Sequence, residues 1–221
     1  MGITNYNFNR MKKYLPTDSL CELGDQWLFV DGIPHHTFAR DVFKDVVSRY
    51  ESIDYEDRDS VSLVLDLNKD INFQENYDKS KYDVVTDFGT MEHVVDYYQG
   101  FKNAYNLCKT GGVIITANPK INNWPRHGFH TFSVSFFEEL AKLTEMEILF
   151  IEEYPACGNY TDGWEVCTEL RKTKEEFPTR EEFNQKLSNL YESKIENNSG
   201  ASQIGLTEED VNKILEFNNE R

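Results

Sequence analysis

The sequence predicts a doubly wound α/β fold, a mostly parallel sheet with helices on both faces. Two stretches carry this expectation. Residues 82–86 form an apolar run of strand length that leads straight into the polar turn Asp87-Phe88-Gly89-Thr90, with Glu92 and His93 placed where a helix should open. Downstream, Lys109-Thr110-Gly111-Gly112 brings the chain into a second apolar run, Val113-Ile114-Ile115-Thr116-Ala117. Strand, helix, glycine turn and next strand make one unit of such a sheet. Ligands bind beyond the carboxyl ends of strands in open sheets of this type, so polar residues there are the first candidates for chemistry.

The remaining elements follow in order. The segment before Asp18 is polar and aromatic and predicts a helix or cap. Residues 19–24 read as the first strand, closed by a glycine turn, and 25–34 as a long connection holding Trp27 and Phe29. Phe38, Val42, Phe43, Val46, Val47 and Tyr50 recur at three- and four-residue intervals, which predicts a helix over 37–50. Short strands are expected at 52–54 and 62–67, a helix at 97–107, another at 133–143, and a late strand at 147–151. From about residue 161 the composition becomes charge-rich. Phe183, Leu187, Leu190 and Tyr191 predict a helix over 180–195, Asn197-Asn198-Ser199-Gly200 ends it, and Thr207-Glu208-Glu209-Asp210 opens a last one with acids at its N-terminus. The expected division is an α/β domain at 1–160 and an acidic helical C-terminal extension at 161–221. That extension would cover the active site, serve a homodimer or fray; the sequence leaves these open.

Composition narrows the function. The chain has 221 residues, 39% hydrophobic and 14% aromatic, enough for one α/β domain with an appendage. A net charge of −16 repels phosphate backbones and argues against nucleic acid as a partner, while it suits a cationic cofactor such as a sulfonium. The four cysteines, Cys21, Cys108, Cys157 and Cys167, form no CxxC pair and read as reduced thiols of a cytoplasmic protein. The polar N-terminal segment gives no expectation of a secretory leader, and no run reaches the roughly 20 apolar residues of a membrane span.

The stretch 83–94, Asp83-Val84-Val85-Thr86-Asp87-Phe88-Gly89-Thr90-Met91-Glu92-His93-Val94, followed by Leu107-Cys108-Lys109-Thr110-Gly111-Gly112, resembles the class I S-adenosylmethionine-dependent methyltransferases, in particular their small-molecule branch. The likeness runs over roughly residues 18–154. It implies a Rossmann-like methyltransferase fold, S-adenosyl-L-methionine as cofactor, and methyl transfer to a small polar acceptor, such as a sugar or sugar-linked group. One motif departs from the family. Glu22 and Gly24 match its acidic residue and first glycine, but Asp25 and Gln26 stand where a Gly-x-Gly turn would continue.

The resemblance implies roles for individual residues. Glu22 and Gly24 would meet the methionine part of the cofactor. Asp54, with Glu56 as the alternative, would accept the ribose hydroxyls, whose two donors match one carboxylate. Asp66 and the backbone of Leu67 would meet the adenine, although Asp66 could equally cap the following turn through Asn68. Asp87, Phe88 and Gly89 would line the donor's reactive end. His93, with Glu92, would serve the acceptor as a general base, the natural role of an imidazole near neutral pH. Trp124, Arg126, His127 and His130 would bind the acceptor. A metal held by His93, His127 and His130 lacks a helical HxxxH or an acidic triad in its support, so none is expected. His35 and His36 are expected to begin the first helix, or to line the cofactor's entrance.

Two enzyme classes that share the sheet are disfavoured. Gly24-Asp25-Gln26-Trp27-Leu28-Phe29 is not the G-x-G-x-x-G of a dehydrogenase, and no G-x-S-x-G elbow marks a hydrolase. The rival reading is a non-catalytic methyltransferase-like protein acting as a binding or regulatory subunit.

Overall fold

The computed structural model describes residues 2–124, 127–156 and 163–193. The chain opens with β1 (Gly2–Thr4) and α1 (Asn5–Met11), whose first turn is held by the Thr4 hydroxyl accepting from Asn7 N. Next comes β2 (Ser19–Leu23), buried at every position, as a central strand covered on both faces must be. The connection expected after it contains β3 (Trp27–Phe29), which pairs in parallel with β1.

The helix expected over 37–50 is much shorter. Only α2 (Ala39–Phe43) forms, and Arg49 and Tyr50 belong instead to β4 (Arg49–Asp54). Phe43, Val47 and Tyr50 nevertheless pack in one cluster, which explains the helix-like spacing. The run Asp45-Val46-Val47-Ser48 consists of weak helix formers and does not propagate the turn. The strand expected at 62–67 is also cut, to β5 (Leu63–Val64), because Asp66 folds back to accept from the Asn68 amide at 2.9 Å.

β6 (Tyr82–Phe88) is followed by a 3-10 turn, Met91–His93, so Glu92 and His93 do not open the next helix. That helix is α3 (Tyr97–Leu107), with Asp96 as its cap. β7 (Cys108–Pro119) already includes the Lys109-Thr110-Gly111-Gly112 segment. Then come β8 (His130–Phe132), α4 (Val134–Thr144), β9 (Glu147–Pro155), β10 (Trp164–Arg171), α5 (Arg180–Leu187) and β11 (Tyr191–Ser193).

Seven strands form the central sheet in the order β5-β4-β2-β6-β7-β10-β9. All run parallel except β10, which is antiparallel to both its neighbours. Apolar side chains cover both faces. Val85, Phe101, Phe136 and Phe183 belong to one cluster, Leu20, Phe43, Val84 and Ile115 to the other. Val84 and Val85 point to opposite faces, as the two-residue period of a strand requires.

The expected boundary at residue 160 does not hold. β10 lies inside the sheet, and α5 is tied to α3 by a bidentate ion pair, Arg180 Nη1 and Nη2 to the Asp96 carboxylate at 2.7 and 2.6 Å. Residues through 193 are therefore part of the α/β domain. The last expected helix lies outside the described residues, as does Cys157.

A buried ion pair joins the N-terminal helix to the sheet. Arg10 is 6% exposed; its Nε donates to Glu169 Oε1 at 3.3 Å and its Nη1 to the Thr116 carbonyl at 3.0 Å. Glu169 also receives Lys13 at 2.8 Å and the Tyr14 hydroxyl at 2.6 Å.

The chain winds from β2 outward to β5, then returns to β6 on the other side of β2. This reversal opens a crevice at the carboxyl ends of β2 and β6, the position where open sheets hold ligands.

Candidate active site

A cleft of about 420 Å³ occupies that crevice. Gly24 follows β2 at its edge, Asp54 ends β4, Asp66 and Leu67 follow β5, and Gly89 and His93 follow β6. Six expected site residues thus meet in one place, although they are spread over 70 positions of sequence (24 to 93).

The Gly24 turn is tight for two reasons. Its φ is +84°, and an added Cβ would stand 2.5 Å from Thr90 Oγ1 and 2.7 Å from Gln26 Nε2. Both neighbours donate to the Leu23 carbonyl, Thr90 at 2.7 Å and Gln26 at 3.1 Å. The Gln26 amide therefore braces the turn at the point where the family's further glycines would leave backbone alone. Asp54 accepts from the backbone amides of Asp25 and Glu56, both at 3.1 Å, so the β4 acid organises the rim of the cleft on either side. Asp66 caps the Asn68 turn and lies 3.1 Å from Lys69 Nζ, yet still lines the cleft.

Other expected contacts are set back from the cleft. Glu22 is fully buried, receives the Tyr50 hydroxyl on Oε2, and is absent from the lining. Burial pushes its pKa up to about 8, against the Tyr50 hydrogen bond. Phe88 points into the apolar cluster on one face of the sheet. Asp87 is also buried, and its role is to position others: Oδ1 accepts from Thr90 N and Met91 N at 3.0 Å, and Oδ2 accepts from Asn118 Nδ2 at 2.8 Å. It thereby holds the 3-10 turn that presents Glu92 and His93. Burial, then the neighbouring Glu92 charge, push Asp87 up to about 7.

The expected acceptor residues divide. His130 is buried completely, with Nε2 3.0 Å from the Val95 carbonyl and Nδ1 2.9 Å from Ser193 Oγ. Burial lowers its pKa to about 4, and both ring nitrogens are engaged, so it is a core histidine and not an acceptor ligand. Trp124 Nε1 donates to the Trp164 carbonyl at 2.7 Å, and its ring lies 5.1 Å from that of His127. Arg126 lies outside the described residues.

His127 reaches the 3-10 turn. Its Nε2 is 3.5 Å from Glu92 Oε1, and His93 Nε2 is 3.9 Å from the same atom. Burial holds the His93 imidazole below its ordinary pKa, against the pull of the neighbouring Glu92, and so favours the neutral ring. Glu165 on β10 feels the same neighbourhood: burial, then Glu92, raise it to about 7. His35 and His36 lie before α2, with His36 at φ +65° and its ring 4.9 Å from that of Trp27. Neither lines the cleft.

Thr90, Gln26 and Glu165 were not anticipated. Glu165 lies in Trp164-Glu165-Val166-Cys167-Thr168-Glu169-Leu170, whose alternation is a strand signal. Thr90 and Gln26 act through side-chain bonds to a carbonyl, which leave no mark in a sequence.

No family model and no curated protein sequence matches the chain. Solved structures do. The chain is similar to the N-methyltransferase NodS from Bradyrhizobium japonicum WM9, at TM-score 0.50 and 9% identity over 77% of this chain and 94% of that one. It is similar to the [4+2]-cyclase SpnF at TM-score 0.51 and 12% identity, covering 77% and 81%. A third, the 1,6-didemethyltoxoflavin-N1-methyltransferase of Burkholderia thailandensis, aligns at TM-score 0.49 and 12% identity over 71% of each chain. The expected fold is therefore present: a Rossmann-like class I methyltransferase fold with a mostly parallel sheet.

Proposed function

We propose that the cleft binds S-adenosyl-L-methionine and that the protein transfers its methyl group to a small polar acceptor, a sugar or sugar-linked group. The observation that carries this reading is the convergence of Gly24, Asp54, Asp66, Leu67, Gly89 and His93 on one crevice at the strand ends. Asp54 would take the ribose hydroxyls, and the Asp66-Leu67 segment the adenine. The turns at Gly24 and Gly89, with φ of +84° and +85°, would let the methionine part approach backbone closely. His93 and Glu92 would orient the acceptor and manage its proton, with Trp124 and His127 beside them. Such a reaction asks the protein mainly for alignment of donor and acceptor and exclusion of water.

NodS shares this fold and is an N-methyltransferase, which supports the reaction class, while SpnF shares it and is a cyclase. One observation favours the rival non-catalytic reading: Gln26, only 4% exposed, braces the Gly24 turn where the family keeps glycine. The three described cysteines are free and buried, which supports a reducing, cytoplasmic location.

Asp54→Ala tests where the cofactor's ribose is held. It should weaken binding of S-adenosylhomocysteine by about 1.5–3 kcal/mol, the value of hydrogen bonds to a charged group, while the thermal midpoint falls far less. Unchanged affinity in a folded variant would put the ribose elsewhere. Methyl transfer from a labelled donor to a panel of sugars and nucleotide sugars then identifies the acceptor.

A further inference from the structure

Among the described residues, Glu92 is a buried acid whose carboxylate has no hydrogen-bonding partner: it is 0% exposed, and neither oxygen has a donor. Buried carboxylates normally carry several. Its only charged-pair neighbours among the described residues are two imidazoles, and no lysine or arginine there is paired with it or with Asp87 or Glu165. A buried carboxylate that stays ionised is paired with a positive charge or coordinates a metal.

The surroundings have the geometry of a cation site. Glu92, His93 and His127 each offer one ligand atom, and these atoms all lie within 4.8 Å of one another. The separations of His127 Nε2 and His93 Nε2 from Glu92 Oε1, 3.5 and 3.9 Å, lie within about 0.6 Å of the roughly 3.3 Å edge of a tetrahedron with metal–ligand bonds of about 2.0–2.1 Å. The histidine that comes from a distant loop is brought in by backbone design. Gly128 has φ +65°, and a Cβ there would meet Glu92 Cγ at 2.8 Å and the Glu92 carbonyl at 2.9 Å. The next residue seals the approach, Phe129 N donating to the Glu92 carbonyl at 2.6 Å. The loop is thus clamped onto the residue whose carboxylate lacks a partner.

We infer that Glu92, His93 and His127 bind a first-row divalent transition-metal ion beside the cleft. One carboxylate and two imidazoles suit zinc, iron, nickel or manganese, and three protein ligands leave coordination positions for an outside group. His93 lines the cleft, so those positions are within reach of a molecule bound there. That the outside group is the methyl acceptor rests on the methyltransferase reading; the ion site does not.

The test uses the full-length protein, stripped with chelator and titrated with Co²⁺ and then Zn²⁺. The site should bind one Co²⁺ per chain, give a visible ligand-field band, and release the cobalt to zinc. Glu92→Gln and His127→Ala, each checked for folding by circular dichroism, should weaken binding by at least about 100-fold, the upper end of what loss of a mere outer-shell partner costs. Two results would overturn the inference: no saturable binding by the unsubstituted protein at millimolar metal, or both variants binding as it does. If one variant fails to fold, the other decides. S-adenosylhomocysteine affinity measured in chelator keeps the two questions apart. Retained affinity without metal binding removes the ion alone, and metal binding without that affinity removes the methyltransferase reading alone.

Discussion

Glu169→Ala should cost the protein about 3–5 kcal/mol of stability, the usual penalty for removing one partner of a buried ion pair. Glu169 is fully buried and bonded to three side chains, Arg10, Lys13 and Tyr14, and through Arg10 it is linked to the carbonyls of Thr116 and Thr168. Truncation leaves the Arg10 guanidinium in the interior with carbonyls but no countercharge. In a chain of this size each kcal/mol moves the thermal midpoint by about 2–4 °C, so a fall of roughly 6–20 °C is expected. Replacing both members, Arg10→Met with Glu169→Leu, should recover much of the loss, because the cost lies in the orphaned charge. A fall under about 1 kcal/mol in the single variant would show that water reaches Arg10.

The second large effect is a pH dependence. The Glu22 pKa is raised from 4.5 to about 8 by burial, so the folded protein holds a proton that the unfolded chain has already lost between those values. Stability from this group therefore falls as pH rises through that window, with a slope of about 1.4 kcal/mol per unit, and is flat beyond it. Asp87, raised to about 7, adds a loss of the same sign over a narrower range. Glu22→Gln keeps an acceptor for the Tyr50 hydroxyl and carries no charge. It should match the unsubstituted protein near pH 5 and exceed it by several kcal/mol above pH 8, read from denaturant melts across the range. Parallel curves for the two proteins would mean that Glu22 is ionised in the fold.

These two residues show what the sequence could and could not reveal. The strands at 19–23 and 82–88 and the helix at 97–107 were legible because their apolar runs and turns act locally. The strand ends that carry Gly24, Asp54, Asp66 and Gly89 were legible for the same reason, and so was the crevice they surround. Burial of a polar residue is not local. Nothing in the sequence distinguishes Glu22, sunk beneath Tyr50, from an acid at the rim, or His130, bonded on both nitrogens, from one facing a ligand. The spacing of Phe43, Val47 and Tyr50 misled because one apolar cluster can be filled from a helix, a turn and a strand in succession. Within β10 the burial of Glu169 is likewise not local: Arg10, Lys13 and Tyr14, which satisfy its carboxylate, lie some 155 or more positions earlier in the chain.

The central claim is that the crevice at the ends of β2, β4, β5 and β6 is a cradle for S-adenosyl-L-methionine. Calorimetric titration of the purified protein with S-adenosylmethionine and S-adenosylhomocysteine tests it most directly. Binding of either at one site per chain, with micromolar affinity that Asp54→Ala weakens, is the expected result. Absence of binding for both ligands at millimolar concentration would contradict it. The Gln26-braced turn would then have closed the cradle, leaving a methyltransferase fold put to use as a binding protein.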